Sequence, residues 1–164
     1  RSLGLYLLCL GVGGECHFDQ MMARLIRDQP ADLISLALGI NVLGGASLSP
    51  RTFRPAVIGF VRTIRDGHPE IPIIVRSAIA SPSRETTPNA VGMTLEMTRH
   101  EVQAAVETLV AHGDPSIHYV DGQKVLDTEH AHLLPDGLHP NAEGYKLMGR
   151  NTTPIVAEFL RREE

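Results

Sequence analysis

Short apolar runs in this chain alternate with longer segments whose apolar residues recur every three or four positions. No other feature constrains the fold as much. The runs are LYLLCL at 5–10, DLISLALG at 32–39, PIIVRSAI at 72–79 and IHYVD at 117–121. A strand that is apolar on both faces belongs in a parallel sheet covered on both sides. Between the runs, 17–29 carries Phe18, Met21, Met22, Leu25 and Ile26 at helical spacing and stops at Pro30. Segment 51–67 places Phe53, Val57, Phe60, Val61 and Ile64 on one face and arginines on the other. Segments 93–113 and 141–162 also read as helices, the second kinked or split near Pro154. Strand and helix in alternation give a three-layer α/β/α sandwich around a parallel sheet.

Composition narrows the classes. Hydrophobic residues make up 43% of the 164 and charged residues 21%, which is the globular range. The net charge is −4, without a basic stripe, so no nucleic-acid partner is implied. Cys9 and Cys16 are too few for a disulfide scaffold, and the compartment stays open. No apolar run is long enough to span a membrane. LGLYLLCLGVGG at 3–14 lacks the basic flank of a signal peptide and reads as a buried strand followed by a tight turn.

Ligands of open parallel sheets bind beyond the carboxyl ends of the strands. The chemistry-bearing residues follow the apolar runs as that rule requires: GVGGECH, GINVLGG, SPSRETTP and, through a longer loop, LLPDGLHPN. Asp136 and His139 form an acid–imidazole pair on a turn dense in glycine and proline. Gly13 and Gly14 allow a sharp turn that exposes backbone N–H groups, and Asn41 can point its carboxamide into a cleft. An acid orienting an imidazole, with N–H donors aimed at one point, is most of an acyl-transfer site. Each residue also has a plainer reading: a strand-to-helix turn at the glycines, a turn cap at Asn41, and an Asx turn beside a surface histidine at Asp136 and His139.

GGE at 13–15, GIN at 39–41 and DGLHPNAEGY at 136–145 resemble the second, third and fifth sequence blocks of the SGNH, or GDSL-type, hydrolase superfamily. The resemblance implies a serine ester hydrolase acting on a small-molecule ester through an acyl-enzyme, with a Ser-His-Asp triad. His139 would be the base, Asp136 the orienting acid, and Gly14 and Asn41 the oxyanion hole. An acyltransferase on the same fold is the alternative. No metal or organic cofactor is implied. Members of the superfamily begin with a block that carries the nucleophilic serine and ends a central strand. Here the glycine block starts at Gly13. The expectation is therefore that residues 1–164 are one SGNH-like domain, N-terminally truncated: a C-terminal portion with its serine upstream. The vacant central strand would then leave runs 5–10 and 32–39 about 10 Å apart.

Other residues admit rival chemistry. His130 and His132, near Asp136 and His139, could belong to a metal-dependent hydrolase or a metal-binding module using His130, His132 and His139. Cys16–His17 reads as a small buried hydrophobe beside an ordinary histidine. Arg84 and Glu85 could line a substrate pocket or form a surface pair.

Overall fold

A computed structural model describes residues 3–160. Three strands form one parallel sheet in the order β1 (Ile34–Ala37), β2 (Ile73–Arg76), β3 (Ile117–Val120). Ile34 lies opposite Ile73, and Ile73 opposite Ile117, so the strands are in step. The helices are α1 (Gln20–Arg27), α2 (Ile40–Gly45), α3 (Pro50–Arg65), α4 (Leu95–Ala111) and α5 (Ala142–Leu160).

The pleat sorts the strand residues between two cores. Ile34, Leu36, Ile73, Val75 and Ile117 face α1, α3 and α4, where they meet Ala23, Phe53, Val57, Val61, Val102 and Val106. Ile74 and Val120 face the other way, onto Met148, Ile155, Val156 and Phe159 of α5. The helices therefore cover both faces of the sheet, as the alternation of runs and periodic segments requires.

Local chemistry sets the helix starts. Asp19 accepts the N–H groups of Met21 and Met22 at 2.8 and 2.9 Å, capping α1. Ser49 and Thr52 form a capping box ahead of α3, whose first residue is Pro50. The five apolar residues expected on the inner face of α3 are all buried there. Thr94 caps α4, which gives way to Gly113 at φ +92°. The last helix is not split: α5 runs continuously through Pro154.

The first apolar run departs from expectation. Residues 5–10 form no strand. Tyr6 is 94% exposed and Leu7 81%. An apolar run signals a demand for burial, whereas a strand also needs a neighbour whose N–H and C=O groups match its own. Residues 5–10 take no such neighbour among the described residues. The expected slot between two strands at 5–10 and 32–39 therefore has no counterpart. Among the described residues β1 is an edge strand, and its Ser35 and Ala37 are exposed on the α5 side of the sheet, where α5 packs on β2 and β3 instead.

Candidate active site

The segment DGLH folds as a turn around a single carboxylate. Asp136 Oδ1 accepts the backbone N–H of Leu138 at 2.9 Å and of His139 at 2.7 Å. Asp136 Oδ2 lies 2.6 Å from His139 Nδ1. Gly137 takes φ +73°, a left-handed conformation that a side chain would strain. Pro140 and Asn141 then lead into α5, and the Asn141 side chain accepts the Gly144 N–H at 2.9 Å. The ring bond and the two backbone N–H groups hold the Asp136 carboxyl well below the usual carboxylate range. With Nδ1 facing a carboxylate, the proton-bearing nitrogen is Nδ1, and Nε2 keeps its lone pair for a proton transfer. The His139 side chain is 72% exposed, so the ring is accessible.

The turn is anchored from the loop that follows β2. Ser81 Oγ donates to the Gly137 carbonyl at 2.7 Å. Arg84 donates to the same hydroxyl at 3.1 Å, and Glu85 accepts the Ser81 N–H at 3.0 Å. Glu85 in turn pairs with Arg99 of α4, the two side chains being 12% and 8% exposed. Arg99 also donates to the carbonyls of Ala78 and Ile79. Arg84 and Glu85 are therefore neither pocket lining alone nor a surface pair with each other. Gly122, just past β3, packs so closely on Ser77 and Ala78 that a Cβ would collide with their carbonyls. Its N–H donates to Ser77 Oγ at 3.0 Å.

The other candidate pair lies beyond β1. Asn41 sits in the first turn of α2, one step later than a loop reading would place it. Its Oδ1 accepts the Cys16 N–H at 3.2 Å, which joins it to the glycine segment. With the oxygen accepting, the NH2 of the same carboxamide is its donor group. Gly14 takes φ +80°, and His17 Nε2 lies 3.1 Å from its carbonyl. In a parallel sheet all strands end on the same side. The Asn41–Cys16 contact and the Ser81-tethered Asp136–His139 turn therefore lie along one edge.

The remaining candidates separate. Cys16 is half-buried with its sulfur 3.7 Å from the Ala37 carbonyl, and burial pushes its thiol up. His130 is taken by Asp127 at 2.7 Å, a second acid–imidazole pair of the same spacing, and its ring lies 6.2 Å from that of His132. Among the described residues no group of three or more His, Cys, Asp or Glu is arranged to hold a metal, so the trio His130, His132 and His139 does not form a centre. Ser81 and Arg99 escape a reading by motif. The signal for Arg99 was a charge on the apolar face of α4, aligned with Leu95, Val102 and Val106. Beside α5 a cleft of about 340 Å³ opens onto the sheet, lined by Arg76, Val120, Tyr145 and Met148 among others. Burial pulls the Arg76 guanidinium below its ordinary value.

The model of the GDSL-like lipase/acylhydrolase family matches residues 1–147. The structure of the salicylyl-acyltransferase SsfX3 from a tetracycline biosynthetic pathway is similar at 36% identity and TM-score 0.77, over 87% of this chain and 42% of that one. A GDSL-like lipase structure from Bacteroides ovatus is similar at 25% identity and TM-score 0.73, over 90% of this chain and 41% of that one. A family 3 carbohydrate esterase from Talaromyces cellulolyticus shares the fold at 16% identity and TM-score 0.62, over 84% of this chain and 62% of that one. The chain thus spans about two fifths of the length of the first two. No curated protein matches.

These matches overturn one expectation. The likeness runs from residue 1 across almost the whole chain, rather than being that of a C-terminal portion without the nucleophile block. The expectation rested on the distance from the first residue to Gly13, and segments that connect elements change length freely, so that distance is a weak ruler. The chain belongs to the GDSL-like lipase/acylhydrolase family.

Proposed function

We propose that this protein moves an acyl group from a small-molecule ester to a hydroxyl acceptor through an acyl-enzyme, with hydrolysis as the outcome when water is the acceptor. The observation that carries the chemistry is the Asp136–His139 bond at 2.6 Å, which commits Nδ1 and frees Nε2. The choice of an alcohol over water as acceptor is supported by the greater identity to a salicylyl-acyltransferase, 36%, than to a GDSL-like lipase, 25%. The cleft beside α5 is large enough for a small acyl or alcohol group.

In this reading His139 Nε2 takes the proton of the triad serine as its oxygen bonds to the acyl carbon. The carbonyl electrons move onto oxygen, where the Gly14 N–H and the Asn41 amide donate to it. Collapse expels the donor alkoxide, which leaves with the proton from His139. The acceptor hydroxyl then gives its proton to Nε2 and attacks the acyl carbon, and as the acyl–serine bond breaks Nε2 returns that proton to the serine oxygen. Asp136 stays ionised throughout and keeps the ring oriented. Among the described residues no serine hydroxyl is hydrogen-bonded to His139, so the serine is assigned by the test.

The test supplies an activated aryl ester with increasing concentrations of alcohols and measures acid and new ester together. Transfer predicts that new ester grows at the expense of acid. Acid alone at every alcohol concentration would favour the hydrolase. A fluorophosphonate probe should label one serine, found by peptide mapping, and His139→Ala should abolish both the labelling and the turnover. Full activity without the His139 imidazole would overturn the reading.

A further inference from the structure

The turn that carries Asp136 and His139 is exposed, and most of its hydrogen bonds are short-range. The tie that reaches across the chain is Ser81, whose side chain is buried at 1% exposure. The bond falls on one particular peptide group. The carbonyl of Gly137 accepts from Ser81 Oγ at 2.7 Å, and the N–H of the same peptide, that of Leu138, donates to Asp136 Oδ1 at 2.9 Å. The Gly137–Leu138 peptide plane is therefore gripped on both sides, by Ser81 and by the carboxylate that aims His139.

We propose that Ser81 is a positioning residue for the base, acting through the Gly137–Leu138 peptide, and that Arg84, Glu85 and Arg99 set it in place. A donor on a carbonyl polarises the amide and strengthens its N–H as a donor, so the bond from Ser81 tightens the hold of Leu138 on Asp136. The Arg84 guanidinium on Ser81 Oγ makes that hydroxyl a better donor in turn. The buried Glu85–Arg99 pair fixes the backbone: Glu85 holds the Ser81 N–H, and Arg99 holds the carbonyls of Ala78 and Ile79. The Glu85–Arg99 pair, which joins the loop after β2 to α4, thus reaches the solvent-exposed imidazole through Ser81, the Gly137–Leu138 peptide and Asp136. The role rests on the reading of His139 as the base.

The experiment compares Ser81→Ala, Arg84→Gln and His139→Ala with the parent protein. It measures kcat and KM for ester turnover, the urea midpoint, and the carboxyl carbon signal of Asp136 as a function of pH. Loss of the Ser81 hydroxyl should lower kcat by roughly 10-fold, as a small misplacement of a catalytic group does, with KM within about twofold of the parent. The Asp136 inflection should move up toward the ordinary carboxylate range. Arg84→Gln, which keeps the buried hydroxyl, should move both quantities the same way by less, and it decides the matter should Ser81→Ala fail to fold. An unchanged kcat and Asp136 titration in a folded Ser81→Ala would overturn the proposal. So would a lower urea midpoint with kcat intact, since that is what a merely structural hydroxyl gives. Turnover that survives in His139→Ala would instead sink the functional reading, and the Asp136 titration would still report on Ser81.

Discussion

Asp136 holds His139 twice: one carboxylate oxygen takes its backbone N–H at 2.7 Å and the other faces its ring Nδ1 at 2.6 Å. The residue that orients the imidazole therefore also builds the turn on which the imidazole sits. Asp136→Asn should keep much of the turn, because the amide oxygen can still accept from the backbone. Its NH2 would face the ring and favour the wrong tautomer. Turnover should fall by roughly 10³–10⁴-fold, as it does when a triad acid is amidated. Steady-state kinetics beside a circular dichroism spectrum of the variant checks this; a loss under about 10-fold would remove Asp136 from the mechanism.

The same carboxyl predicts a pH response. Its folded value lies below its unfolded one. It therefore favours the native turn fully above the ordinary carboxylate value of about 3.9, and the contribution fades as pH drops through the lower folded value. A carbon-13 titration of Asp136 in the folded protein should show no inflection near 3.9. An ordinary inflection there would mean the turn is open in solution.

Asn41 offers a test of charge rather than size. Asn41→Asp can still accept the Cys16 N–H, so α2 and the glycine segment should stay joined. The carboxylate would face the developing oxyanion with an acceptor in place of a donor. Turnover should drop by about 10²–10³-fold or more with little change in the thermal midpoint. Near-parental kinetics would show that Asn41 only braces Cys16.

Stability should depend on a different charged pair. Arg65 and Asp114, at 6% and 4% side-chain exposure, are joined by two bonds of 3.0 Å, and Arg65 also holds the carbonyls of His68 and Ile71 at 2.7 Å. Asp114→Ala leaves a buried cation without its partner. That should cost about 3–5 kcal/mol, read from urea unfolding, while kcat of the folded fraction stays unchanged because the pair sits at the amino end of β3, opposite the site edge. A cost below about 1 kcal/mol would show that water reaches Arg65.

A chelator should leave turnover unaltered, since His130 is committed to Asp127 and the described residues hold no cluster fit for a metal. Inactivation by chelation with recovery on adding zinc would restore the metal-dependent alternative.

The sequence by itself determined the layering and the chemistry of single turns. Short, continuously apolar runs marked β1, β2 and β3, and apolar residues recurring at the helical period of about 3.6 marked α1, α3 and α4, because a strand covered on both faces is apolar throughout while a helix buries one stripe. The D-x-x-H spacing was enough for the Asp136–His139 bond, since a carboxylate three residues ahead reaches the backbone and ring of its partner within one turn. Local spacing said nothing of which strand edges would find partners, so the equally apolar run 5–10 looked like a strand and is exposed coil. Nor could it bring Ser81 to Gly137, 56 residues away, or Glu85 to Arg99 on another element. Those contacts exist because parallel strands deliver their loops to one edge, where a hydroxyl and a carbonyl from distant parts of the chain must satisfy each other once water is excluded.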